Sequence, residues 1–415
     1  MKVFITHPSG NNFVRALLVK LVNDELLSEF GTAIAIDPNA FFLKLMPEGV
    51  RKELLRRYFD VPPELLWTHS FRETCRMIFT KTGLNLLTRH EKGWASVDAV
   101  YQSFDYAAAQ HLMKIHRNKN VDTVYAYDDG ALNTFKAAKN LGIKCVYDLP
   151  IVYWETNRKL IMEEADRLPE WIPALGGGMK DSEEKLNRKV QELELADVVV
   201  CPSKFVIDSL PEKLVGNKQL IMAPFGSPKI LTGNLPVKNT SKTNKPLRVL
   251  FVGSMTQRKG LGDLFKAIEL INSPAIELVV MGSLLAPLEF YKKQFSDFTY
   301  EAGRPHDQVL ELMRSCDVFC LPSIAEGRAL VMQEAMSQGL PLIITPNTGG
   351  SDLIIEGETG FLVPIRSPEA IADRLNWFLE NRNEIPQMGE KARKHSANYT
   401  WENYASTIVD FISKC

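Results

Sequence analysis

Short apolar runs closed by turn residues alternate along this chain with amphipathic stretches. In the first half the runs fall near residues 2–6, 32–36, 122–127, 143–148, 197–201 and 218–223. In the second half they fall at 247–252, 276–281, 298–301, 318–321, 340–344 and 361–363, with helical periodicity over 261–271, 306–314, 329–338 and 367–380. Continuous apolar runs predict strands buried on both faces, and their alternation with helices predicts parallel sheets covered on both sides.

An internal echo divides the pattern in two. Ala196-Asp197-Val198-Val199-Val200-Cys201-Pro202-Ser203 is matched by Cys316-Asp317-Val318-Phe319-Cys320-Leu321-Pro322-Ser323, each after a charged amphipathic helix. Duplicated β-α logic implies two doubly wound domains, although the same motif also suits any strand exit. At 415 residues the chain is too long for one ordinary core. The expected division is a first domain over 1–230 with a mostly helical insertion at about 38–118 outside the sheet pattern, a linker at 231–246, a second domain over 247–398, and a helix within 399–415 folding back on the first domain. The stretch from Ser227 to Pro246, rich in Pro, Lys, Asn, Thr and Gly, suggests the linker.

Charge narrows the function classes. Lys and Arg number 49 against 50 Asp and Glu, so bulk electrostatics does not support nucleic-acid binding, and any anion must be met locally. Six scattered cysteines form no Cys-x-x-Cys pair, which points to a reducing cytosol rather than to disulfides or zinc. The N-terminus runs straight into an apolar strand, and no apolar stretch reaches the ~20 residues that span a bilayer, so a cytoplasmic protein, soluble or peripheral at the inner membrane face, is expected.

Candidate chemistry gathers in the second half. Glu326 and Glu334 lie eight positions apart around a predicted helix start that follows the 318–321 strand. Were the span helical, a ~1.5 Å rise per residue would part the carboxylates by roughly 12 Å, about the reach from a hexose to a ribose across a diphosphate. Leu330 and Val331 would offer first-turn N–H groups to an anion, and Gly327 would let backbone approach closely. Arg258 and Lys259 stand in the loop after the 247–252 strand, beside Gly253 and a helix start. A guanidinium fork with a neighbouring ammonium suits a diphosphate. Ligands of open α/β sheets bind at this carboxyl edge. Each feature alone also reads as solvated surface.

Taken together, Val252-Gly253 through Arg258-Lys259-Gly260, Met281-Gly282-Ser283, Asp317 through Ser323, Glu326 through Glu334-Ala335-Met336, Gly339-Leu340-Pro341-Leu342 and Gly349-Gly350 resemble the donor half of retaining GT-B glycosyltransferases of family GT4, over about residues 245–400. The resemblance implies two Rossmann-like domains facing across a crevice, and hexose transfer from a nucleoside diphosphate sugar, UDP- or GDP-linked, with neither metal nor cofactor. By position it implies Glu326 on the sugar hydroxyls, Glu334 on the ribose, Arg258 and Lys259 on the leaving diphosphate, and Gly303 with Arg304 near the base. The family's Gly-Phe-Gly is here Gly327-Arg328-Ala329, which suggests an extra charge beside the donor. The family's histidine in the first domain is missing, and Tyr147 or Asp148 stands in its place, Asp148 orienting the sugar or acceptor or else capping the next helix.

The first loop, His7-Pro8-Ser9-Gly10-Asn11-Asn12, would line the crevice from the opposite side, with Gly10 giving substrate room. Tyr127-Asp128-Asp129-Gly130 reads as a strand exit rather than a metal site. The acceptor, a glycan, lipid-linked or small molecule, is expected in the first domain. There Lys44, Arg51, Lys52, Arg56 and Arg57 beside Phe41, Phe42, Leu43 and Leu45 suit anionic headgroups or, equally, an ordinary solvated helix face. The alternatives are a non-catalytic nucleotide-sugar scaffold and a GT-B epimerase, the latter short of histidine partners.

Overall fold

The computed structural model describes residues 1–228 and 245–414. Its strands are β1 (Val3–Thr6), β2 (Leu27–Thr32), β3 (Leu66–Thr68), β4 (Thr123–Tyr127), β5 (Lys144–Asp148), β6 (Val198–Cys201) and β7 (Gln219–Met222), then β8 (Leu247–Val252), β9 (Ile276–Met281), β10 (Thr299–Glu301), β11 (Val318–Leu321), β12 (Leu342–Ile344) and β13 (Gly360–Leu362). They form a seven-stranded sheet ordered β3-β2-β1-β4-β5-β6-β7 and a six-stranded sheet ordered β10-β9-β8-β11-β12-β13. Every named pairing is parallel. These are the two doubly wound α/β domains expected, and the chain order reverses at β1/β4 and β8/β11, the switch points where crevices open.

The sequence echo is an echo of hydrogen bonding. Asp197 Oδ2 accepts the Cys145 N–H at 2.8 Å and Asp317 Oδ2 accepts the Arg248 N–H at 2.9 Å, so each aspartate ties its strand to the start of the neighbouring one. Backbone donors at the start of a buried strand need such partners.

Two expectations shift. The second strand lies at 27–32 and not at 32–36, because Ser28 and Glu29 interrupt the apolar run, and Glu29 is made tolerable in a buried strand by His111 and Lys119, each 3.1 Å away. The 38–118 region is not wholly outside the sheet: β3 extends it at the edge, and Phe104, Ala108 and Leu112 of the helix Val97–Ile115 pack with Phe4 and Val124.

Three segments cross between lobes. The helix Trp401–Ile412 packs on the first-lobe helix Asn12–Asn23, burying Tyr404, Ile408 and Ile412 with Val3, Ile5 and Leu17. Trp171 and Ala174, in a turn after the helix Trp154–Arg167, pack the other way, into the second-lobe core against Phe265 and Tyr291. The Ser227 N–H donates to Tyr399 O at 2.8 Å, joining the outgoing crossing to the returning one. Of the linker expected at 231–246, residues 231–244 lie outside the described residues.

Candidate functional site

The loops leaving β8 and β11 build the second-lobe wall of the crevice. After β8 the chain turns at Gly253, φ +152°, where a Cβ would stand 2.8 Å from Lys259 Cδ. Only a glycine leaves room for the Lys259 stem to lie back over the strand end. Thr256 caps the turn Gln257–Lys259, its Oγ1 accepting the Lys259 N–H at 3.3 Å. After β11 the chain passes Ser323 to Glu326, and the two loops are locked: Arg258 Nη1 donates to Ala325 O at 2.7 Å, and the Ile324 N–H to Arg258 O at 2.8 Å.

This lock brings three sequence-selected side chains to one point. Glu326 Oε1 lies 2.5 Å from Lys259 Nζ and 2.9 Å from Arg258 Nη1. Burial alone would push the Glu326 carboxyl up, but the two cations overcome it and hold the group below the usual carboxylate range. The result is an ionised acid between two cations at a parallel sheet's carboxyl edge.

Glu334 sits farther along, on the helix Leu330–Ser337. Leu330 and Val331 open that helix, and no described side chain caps it. First-turn N–H groups have no acceptor within the helix, and the helix dipole adds positive potential there. Glu334 accepts from His306 Nε2 at 3.1 Å, and Arg304, just beyond β10, is ion-paired with Glu301. Arg304 and Glu334 thus each hold a neighbour of their own, Glu301 and His306, apart from the Arg258–Glu326–Lys259 cluster.

Opposite stands the first lobe. Gly327 meets it directly: a Cβ would stand 1.9 Å from Pro150 O, and Ser203 Oγ donates to Gly327 O at 2.7 Å. Beside this contact opens a cavity of about 320 Å³, lined by Asp128, Asp129, Trp154, Asn157, Lys189 and Arg258 among others. Asp128 and Asp129 are held by Lys189 at 2.6 and 3.0 Å, and Tyr147 donates to Asp128 at 2.5 Å. These acids carry an internal ammonium. Elsewhere, His90, Glu91 and Asp181 approach as metal ligands would, yet Lys185 lies 3.2 Å from Asp181 and the Ser182 N–H donates to Glu91, so the protein already satisfies both acids.

Three sequence candidates are occupied by partners within the protein. Asp148 is buried, accepting from Tyr125 at 2.5 Å and Tyr404 at 3.2 Å, with its pKa pushed up to about 7 by burial. It caps no helix. Gly10 faces Phe59, whose ring a Cβ would meet at 2.2 Å, so its role is close packing against the insertion. Arg328, expected beside the donor, is buried and turned away. Its Nε donates to Gln333 at 2.8 Å, its Nη1 to Asp352 at 2.7 Å and Gly349 O at 2.9 Å, and it stacks 4.9 Å from the Tyr399 ring centroid. The Ser203 contact, missed in the sequence, is legible only as the strand-exit serine of the echo.

Residues 236–395 match the model of a family described as glycosyl transferases group 1. Among curated proteins, the chain is similar to D-inositol 3-phosphate glycosyltransferases of Corynebacterium urealyticum, 35% identical over 26% of this chain and 25% of that protein, and of Corynebacterium diphtheriae, 26% identical over 55% and 59%. It is also similar to the capsular polysaccharide biosynthesis glycosyltransferase CapM of Staphylococcus aureus, 26% identical over 40% and 46%. The chain spans at most about six-tenths of these relatives. In fold it is similar to sucrose-phosphate synthase from Thermosynechococcus elongatus (TM-score 0.65, 17% identity, 100% of this chain and 98% of that one) and to Anabaena HepE in complex with UDP (TM-score 0.61, 15%, 100% and 100%).

Proposed function

We propose that this protein, whose residues 236–395 match the model of the glycosyl transferases group 1 family, is a retaining glycosyltransferase, moving a hexose from a nucleoside diphosphate sugar to a hydroxyl acceptor held by the first lobe. The observation that carries the reading is the Arg258–Glu326–Lys259 cluster, set beside a helix start that no described side chain caps.

In this reading the diphosphate lies against the N–H groups of Leu330 and Val331, with Arg258 and Lys259 matching its charge. That charge grows as the bond from the anomeric carbon to the phosphate oxygen breaks, so the two cations stabilise the transition state more than the ground state. Both cations meet Glu326 through Oε1, which leaves Oε2 to accept from hexose hydroxyls. Glu334 accepts from the ribose, and Arg304 lies on the base side. The acceptor occupies the 320 Å³ cavity, its hydroxyl attacking from the face the diphosphate leaves and giving its proton to a departing phosphate oxygen. Retention follows from attack on that same face.

The test is a donor panel. Incubation with UDP- and GDP-hexoses should show slow hydrolysis, and the matching nucleoside diphosphate should raise the melting temperature. A folded protein that neither hydrolyses nor is stabilised by any of them refutes the reading. Hydrolysis with epimerised sugar recovered would favour an epimerase.

A further inference from the structure

The insertion carries a surface that the transfer reading leaves unexplained. Of the twenty-four large apolar side chains exposed among the described residues, twelve fall between Phe41 and Val97. They are densest at the turn Phe41–Leu45, where Phe41 is 72% and Leu45 73% exposed, Phe42 and Met46 flank them, and Leu43 alone is buried. One inward leucine anchors four outward hydrophobes. In an aqueous monomer this is the costly arrangement, since each of those side chains orders water that burial would release.

The next element, the helix Glu48–Leu55, has no buried residue. From Phe41 to Tyr58 the chain carries five basic side chains, Lys44, Arg51, Lys52, Arg56 and Arg57, against two glutamates. Lys52 is paired with Glu48, Arg56 and Arg57 share Glu53, and Arg57 also lies 3.6 Å from Glu73, so among the described residues the unpaired positive charge rests on exposed Lys44, inside the apolar turn, and Arg51, in the helix that follows it. Apolar side chains beside cations match a bilayer interface with anionic headgroups, where the rings enter the acyl boundary and the cations meet phosphates.

Position gives the surface a use. The segment after the helix is fastened to the loop and helix that follow β1, at the sheet's switch point, Arg15 donating to Arg56 O at 2.7 Å and Phe59 packing against Gly10. We propose that the turn Phe41–Met46, with Lys44 and Arg51, docks the first lobe on an anionic lipid bilayer, bringing the crevice mouth to molecules embedded in it. This docking does not depend on the transfer reading.

Co-sedimentation with vesicles tests it. The full chain should pellet with vesicles of phosphatidylcholine mixed with phosphatidylglycerol, pellet much less with phosphatidylcholine alone, and be released by salt. The double variant Phe41→Asp with Leu45→Asp should lose binding by about tenfold or more, and Lys44→Glu with Arg51→Glu by about tenfold, each keeping the parent's melting temperature because neither pair is buried. No pelleting with anionic vesicles overturns the proposal. So does pelleting that both folded variants retain, or self-association through this turn without lipid.

Discussion

Lys259 Nζ and Arg258 Nη1 converge on one oxygen of Glu326, at 2.5 and 2.9 Å, so the acid that should read a sugar also neutralises the cations that should read a diphosphate. Glu326→Gln removes that internal competitor. Transfer should fall steeply while inorganic diphosphate, measured as a competitive inhibitor, binds roughly tenfold more tightly, about 1.4 kcal/mol. Weaker diphosphate binding in the variant would show that the cluster is structural.

Lys259→Met should lower kcat by roughly 10² to 10³, the range for removing one fixed transition-state donor, with a smaller change in KM for the donor. Equal loss in an Arg304→Met variant, whose side chain is ion-paired with Glu301 beyond β10, would argue against a local role.

Gly327→Ala places a methyl group where Pro150 O already stands at 1.9 Å and Ile151 Cα at 2.8 Å. Both are backbone atoms, which cannot rotate aside. The lobes should part, raising the radius of gyration in X-ray scattering and lowering kcat/KM by at least about tenfold. An unchanged scattering curve with full activity would mean that the lobes do not need this contact.

Gln333 joins the loop after β11 to the interlobe crossing, accepting from Arg328 Nε at 2.8 Å and donating to Phe225 O at 2.7 Å and Ser227 Oγ at 3.0 Å. Gln333→Ala strands buried polar groups on both sides and should destabilise by about 1–3 kcal/mol in urea unfolding. No measurable change would mean that water replaces the amide.

Asp148 titrates within a stability window. Its folded pKa is raised by burial to about 7, against about 3.9 for an unfolded aspartate. A group that holds its proton more tightly when folded contributes stability fully below its unfolded pKa and loses it as pH rises through the folded one. Between about pH 4 and 7 the parent should therefore lose thermal stability relative to Asp148→Asn, which still accepts from Tyr125 and Tyr404. Other titrating groups are common to both proteins, so the difference isolates Asp148. Parallel melting curves across that range would refute the assignment.

The sequence by itself determined the architecture. Buried parallel strands require unbroken apolar runs, helices require their period, and turn residues punctuate both, so β1, β4–β13 and their helices are legible wherever the local pattern is undisturbed. It also placed Arg258, Lys259 and Glu326 on adjacent strand exits, because in a parallel sheet all such exits lie on one edge. What the tertiary structure decided are the partners. Asp148 meets Tyr404 across 256 positions, Trp171 leaves its own lobe for the other's core, Glu29 makes a strand of a polar stretch through His111 and Lys119, and Arg328 turns inward to Gln333 and Tyr399. Each outcome rests on which distant group can satisfy a buried charge or fill a buried volume, and local periodicity carries no information about a partner that only chain folding brings within reach.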